Sequence, residues 1–109
     1  MRWRLLSVGV ALGLDLLCTG AIGAEESSAP QGRKFAHAHC AGCHAIGLRG
    51  ASPMRAAPTF RMLAERFPVD DLADVLIEGV ERRHPAMPDF RLEPDDAADL
   101  TAYLKTLKP

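Results

Sequence analysis

The sequence predicts an all-α domain, on three observations. Apolar residues recur at three- and four-residue spacing in four separate segments, no segment keeps the two-residue alternation of a strand, and Gly and Pro gather between the periodic segments. The composition is that of an ordinary globular chain, 48% apolar and 25% charged with a formal net charge of -1. That balance excludes a disordered tail and the basic surface of a nucleic-acid binder.

The chain opens with Arg2 and Arg4, runs nearly unbroken in apolar residues from Leu5 to Ala24 with Asp15 as its one charge, and turns polar at Glu25, Glu26, Ser27 and Ser28. A positive start, an apolar middle and the small residues Gly23 and Ala24 read as an export signal cleaved near Ala24. The expected organisation is a signal over 1–24, a flexible segment over 25–31 and one folded domain over 32–109. An uncleaved anchor is the alternative, because about 20 apolar residues can span a bilayer. Cys18 goes with the signal, since Leu17 before it is too large for a lipid-attachment box. About 85 residues then remain, and a domain that short commonly uses a disulfide, a metal or another staple to be stable. Cys40 and Cys43 are the only thiols left to build it.

The first helix follows Pro30 and Gly32, with Phe35, Ala36, His39 and Cys43 at helical spacing as far as His44, before Gly47 and Gly50 break it. Leu48 to Pro58, rich in Gly, Pro, Ala and Ser, is a loop. Thr59 can N-cap a short helix through Arg66, with Phe60, Leu63, Ala64 and Phe67 facing inward. A third helix starts at Asp70 or Asp71 with Leu72, Val75, Leu76 and Val80 as its stripe, weakened at Gly79. From Glu81 to Arg91 two prolines three residues apart rule out a regular element. The last helix carries the most complete set of signals. Leu92 precedes it, Pro94 takes its first position, Asp95 and Asp96 its first turn, and Lys105 and Lys108 lie near its end, with Ala97, Leu100, Leu104 and Leu107 as the inner face.

The stretch CAGCH, residues 40–44, carries the chemistry. A zinc site needs four ligands, and a second pair at ligand spacing is missing. A thioredoxin-like redox pair would follow a strand, and none precedes Cys40. A disulfide across two residues would close too small a loop to stabilise much. Covalent attachment of one haem remains: Cys40 and Cys43, three residues apart on one helical face, can form two thioethers along one porphyrin edge, and His44 can bind iron from one side.

On these residues the chain resembles a small bacterial class I c-type cytochrome. GRKFAHAHCAGCH, residues 32–44, and EPDDAADLTAYLKTL, residues 93–107, match that family's N- and C-terminal helices. The resemblance implies the cytochrome c fold, in which these two helices cross, with Gly32 and Phe35 packed against Leu100, Tyr103 and Leu104, and shorter helices and loops surround one covalent haem c. It picks Met87, in PAMPDF, as the second axial ligand, and Pro58 as the residue whose backbone carbonyl accepts a hydrogen bond from His44. His84 is the principal competitor of Met87. Met62 reads as core filler, and Met54 is too close in sequence to His44 to reach the other haem face. Without residues 1–24 the domain has no Trp, so a propionate contact made by Trp in some relatives is absent or replaced; Arg49, Arg55, Arg82 and Arg83 are the candidates.

With both axial positions filled, iron offers no open site, and neither a nucleophile nor an acid/base pair is evident. The expectation is therefore an electron-transfer protein, not an enzyme, exported to the periplasm. It would exchange single electrons with a periplasmic dehydrogenase, oxidase or cytochrome complex, as a free carrier or as the haem subunit of a dehydrogenase. An anchored form facing the periplasm follows if the leader stays. The alternative function is a five-coordinate gas sensor or peroxidase-like haem protein. Residues 33–66 hold six Lys or Arg against Glu65 alone, while 70–99 hold ten Asp or Glu against Arg82, Arg83 and Arg91. Such asymmetry can steer docking.

Overall fold

The computed structural model describes residues 27–79 and 86–109, together with the single glycines 9, 13 and 20. The expectations for the leader, Cys18, Val80, Arg82, Arg83 and His84 lie outside the described residues. Within the described residues there are four helices and no strand.

Helix α1 spans Ala29–His39. Ser28 caps it, its Oγ accepting from the Gln31 N–H at 3.3 Å, and Pro30 falls in the first turn, where a missing N–H costs nothing. A second tie comes from the far end of the chain: the Ser28 N–H donates to Asp99 Oδ1 at 2.7 Å. These contacts start the helix three residues ahead of the expected boundary at 32, so 28–31 are held to the domain and are not a flexible lead. The helix also ends earlier than expected. Cys40 and Ala41 both donate to the Ala36 carbonyl, at 2.8 and 2.9 Å, which breaks the regular ladder and starts a separate turn.

Helix α2, Phe60–Arg66, has the expected Thr59 cap, with Oγ1 accepting from the Met62 N–H at 3.3 Å. It stops before Phe67, whose backbone is extended at φ -121°, ψ 147°. The helical phase that would have turned this ring inward no longer applies, and Phe67 is 49% exposed. Helix α3, Val69–Glu78, begins at Val69, one residue before Asp70; Pro68 offers no side-chain cap, and Asp70 and Asp71 complement the positive end of the helix. Helix α4, Pro94–Thr106, follows its sequence signals, with Pro94 first and two aspartates in the first turn.

Helix α4 is the hub. All three other helices pack on it, α1 most extensively. The α1–α4 crossing is made by Gly32: a Cβ added there would sit 2.5 Å from the Asp99 carbonyl carbon, nearer still to its oxygen, and 2.9 Å from Tyr103 Cβ. Backbone meets backbone, and only glycine fits. Ala36, one turn on, is fully buried, and Ala97, Leu100, Tyr103 and Leu104 supply the facing side of α4. Phe60 and Ala64 from α2 and Val69 from α3 complete the buried set with Leu92 and Leu107. The Tyr103 hydroxyl donates to the Ile46 carbonyl at 2.6 Å, tying α4 to the loop that follows the CAGCH turn.

Candidate haem site

Cys40 to His44 form one tight turn beyond the end of α1. The N–H groups of Cys43 and His44 both donate to the Cys40 carbonyl, at 3.2 and 2.9 Å. The two thiols therefore stand on a turn and not on a continuing helix, and both border one cavity. Both cysteines are free thiols, half-buried. Burial pushes the Cys40 thiol up to about 11, so it is neutral at ordinary pH.

The loop after His44 is folded by its own backbone. The Met54 N–H donates to the Cys43 carbonyl at 3.1 Å and the Phe60 N–H to the Ala45 carbonyl at 2.9 Å. Ser52 Oγ accepts from the Ala45 N–H at 3.0 Å, and the Arg61 guanidinium donates to the carbonyls of Gly50 at 2.7 Å and Gly47 at 3.4 Å. Folded in this way, the loop returns Pro58 to the imidazole: His44 Nδ1 lies 2.6 Å from the Pro58 carbonyl oxygen. A carbonyl only accepts, so Nδ1 holds the ring proton and Nε2 keeps its lone pair for a metal. The Phe60 ring packs on the imidazole, with centroids 5.5 Å apart and planes tilted by 55°.

Met87 comes from the segment that leads into α4. That segment is fixed by the Leu92 N–H, which donates to the Leu76 carbonyl at 3.0 Å, and by the Phe90 N–H, which donates to the Pro88 carbonyl at 2.8 Å. Cys40, Cys43, His44 and Met87 all face one cavity of about 390 Å³, whose walls are Leu63, Leu72, Val75, Leu76, Leu100 and Leu104. Of the expected stripe of α3, Leu72, Val75 and Leu76 are thus cavity wall rather than part of the closed core. An apolar cleft of this size is of the order that cofactors occupy. The residues present fit a haem: two thiols, an imidazole nitrogen free to bind metal, a thioether sulfur from a separate segment, and aliphatic walls.

Two other candidates border the same cavity and the rest fall elsewhere. Met54 borders the cavity from the loop, whereas Met62 is 36% exposed and lines no part of it. His37 is exposed on α1; His39 borders the cavity with its ring against Phe35, centroids 4.6 Å apart. Arg49 and Arg55 are exposed on the loop. Ser52 and Arg61 were not foreseen, because their partners are backbone groups that leave no residue pattern. Among the described residues no three His, Cys, Asp or Glu side chains gather as a metal site, so CAGCH has no partners for zinc there.

A small helical domain whose N- and C-terminal helices cross beside an apolar cleft, with CxxCH at its edge, belongs to the class of proteins that carry a covalently bound haem. The profile described as Cytochrome c matches residues 29–108, and the chain is a member of the cytochrome c family. It is 30% identical over 111 aligned residues to "Cytochrome c-552" of Bradyrhizobium diazoefficiens, with both chains covered in full. No solved structure gives a significant match. Its cofactor is accordingly one covalent haem c, and its class carries electrons through redox partners; family membership points to electron transfer rather than catalysis.

Proposed function

We propose that this protein is an exported monohaem electron carrier, in which Cys40 and Cys43 form the thioethers and His44 and Met87 fill the two axial positions. The observation that carries this reading is the shared cavity: His44, with Nδ1 taken by Pro58, and Met87, on a segment fixed to α3, face the same apolar space from different parts of the chain. The haem when bound supplies a one-electron couple between ferric and ferrous iron, and a His/Met pair holds that couple at raised potential.

The chain's own residues do the rest. The Pro58 carbonyl orients the imidazole and fixes its tautomer. Leu63, Leu72, Val75, Leu76, Leu100 and Leu104 keep water from the ring. The bonds of the loop after His44 hold one side of the site, and the Leu92 N–H on the Leu76 carbonyl holds the other, through a change of charge, so little reorganisation accompanies electron transfer. The leader, with Arg2 and Arg4 before its apolar run, supports export to the periplasm. Among the described residues no helix is long and apolar enough to cross a membrane. The partner is a periplasmic redox protein, met as a free carrier or as the haem subunit of a dehydrogenase.

Carbon monoxide added to the dithionite-reduced protein tests this reading. With both axial positions filled, the Soret spectrum stays unchanged. Ready formation of a carbon monoxide adduct would show an open position and favour a five-coordinate sensor or peroxidase-like protein.

A further inference from the structure

We propose that Phe60 is a positioning residue for the axial imidazole: its ring sets the plane of the His44 ring, and with it the distribution of unpaired spin in the oxidised protein. This rests on His44 being an axial ligand. The Pro58 carbonyl holds His44 Nδ1 at 2.6 Å, which fixes the tautomer and one point of the ring. One point does not fix a plane. A ring held at one nitrogen can still tilt about it, and the further constraint on this imidazole is the Phe60 ring, with centroids 5.5 Å apart and planes at 55°. Aromatic rings attract one another at such a separation and tilt.

Phe60 is itself held. As the first residue of α2 its N–H has no partner inside the helix, and it donates instead to the carbonyl of Ala45, the residue next to His44, at 2.9 Å. Its side chain is 5% exposed and shares the buried core with Ala64, one turn further on, so the ring is not free to swing out to solvent. It also borders the cavity that His44 and Met87 share. The stretch Pro58, Thr59, Phe60 thus supplies a carbonyl for Nδ1, a cap for α2 and a flat face for the imidazole. An aliphatic side chain of similar bulk would fill the same space without that face. The orientation of an axial imidazole about its bond to ferric iron decides which orbital holds the unpaired electron, and so how each haem methyl is shifted in the proton spectrum.

The test is proton NMR of the holoprotein in wild type, Phe60→Leu, Phe60→Met, Phe60→Tyr and Leu107→Ala, the last a buried residue that lines no part of the cavity. In the ferrous wild type a nuclear Overhauser peak should join the Phe60 and His44 ring protons. In the ferric state Phe60→Leu and Phe60→Met should change the order or the spread of the hyperfine-shifted haem methyl resonances. Phe60→Tyr, which keeps the ring, and Leu107→Ala, which lowers stability alone, should keep the wild-type pattern. Either variant without the ring suffices should the other fail to fold, and the wild-type contact decides should both fail. A wild-type methyl pattern in a folded Phe60→Leu or Phe60→Met protein overturns the proposal, as does an equal change in Phe60→Tyr or Leu107→Ala, or a missing Overhauser peak. Ferrous wild type whose His44 ring protons lack the strong upfield shift of a haem-bound imidazole overturns the ligand assignment itself, a distinct failure that removes the proposal's premise.

Discussion

Gly32→Ala probes the contact on which the domain is built. The new Cβ would lie 2.5 Å from the Asp99 carbonyl carbon and 2.9 Å from Tyr103 Cβ, against an ordinary contact of 3.4–4 Å. The obstacle is α4 backbone, so no side chain can swing aside and α1 must retreat by about 1 Å. A shift of that size opens a gap along the buried faces of Ala36, Leu100, Tyr103 and Leu104 and gives up a quarter to a half of each contact's dispersion energy. Overpacking of this kind costs roughly 1–3 kcal/mol, and the gain from replacing a helical glycine, about 1 kcal/mol, works against it. With the repacking losses included, the expected net destabilisation is about 2 kcal/mol, or roughly 8–16 °C in Tm for a domain of this size. Guanidinium and thermal unfolding of the ferric holoprotein, followed by far-UV circular dichroism, measure it directly. A variant within 0.5 kcal/mol of wild type, where about 2 is expected, would refute the claim that the two helices touch through their backbones.

Three further perturbations follow from the same contacts. Tyr103→Phe removes the 2.6 Å bond to the Ile46 carbonyl and should lower stability by about 1 kcal/mol in chemical denaturation; no loss would mean that water replaces the hydroxyl. Asp99→Ala frees the Ser28 N–H, held at 2.7 Å, and should cost about 1 kcal/mol, with hydrogen exchange accelerated at the start of α1 and not at the CAGCH turn. Cys40→Ala/Cys43→Ala removes haem attachment and leaves the walls of the 390 Å³ cavity without their filling. Losing that filling removes much of the apolar burial on which a domain of this size depends, so the double variant should lack a cooperative thermal transition.

The parts legible in the sequence are those governed by local chemistry. In α4, Pro94, Asp95, Asp96 and the Ala97, Leu100, Leu104 and Leu107 stripe all act within one helix, and its bounds follow from them. The CAGCH motif is equally local. The start of α1 was not legible because one of its two ties, Asp99, is 71 residues away, and Phe67 escaped because α2 ends one residue before it. Ser52 and Arg61 act on the carbonyls and amides of a loop whose path no periodicity encodes. Met87 lay between these cases. The resemblance selected it over Met54 and Met62, and the structure adds that it shares a cavity with His44, which Met54 also borders and Met62 does not.

The central claim, a His44/Met87 pair on one covalent haem, is tested most directly by the ferric methionine-to-iron charge-transfer band at the red edge of the visible spectrum. The protein is matured with haem, and wild type is compared with Met87→Ala. The account predicts the band in wild type and its loss in Met87→Ala, with the covalent haem retained in both by mass. A wild-type spectrum without the band, or a band that survives in Met87→Ala, would contradict it.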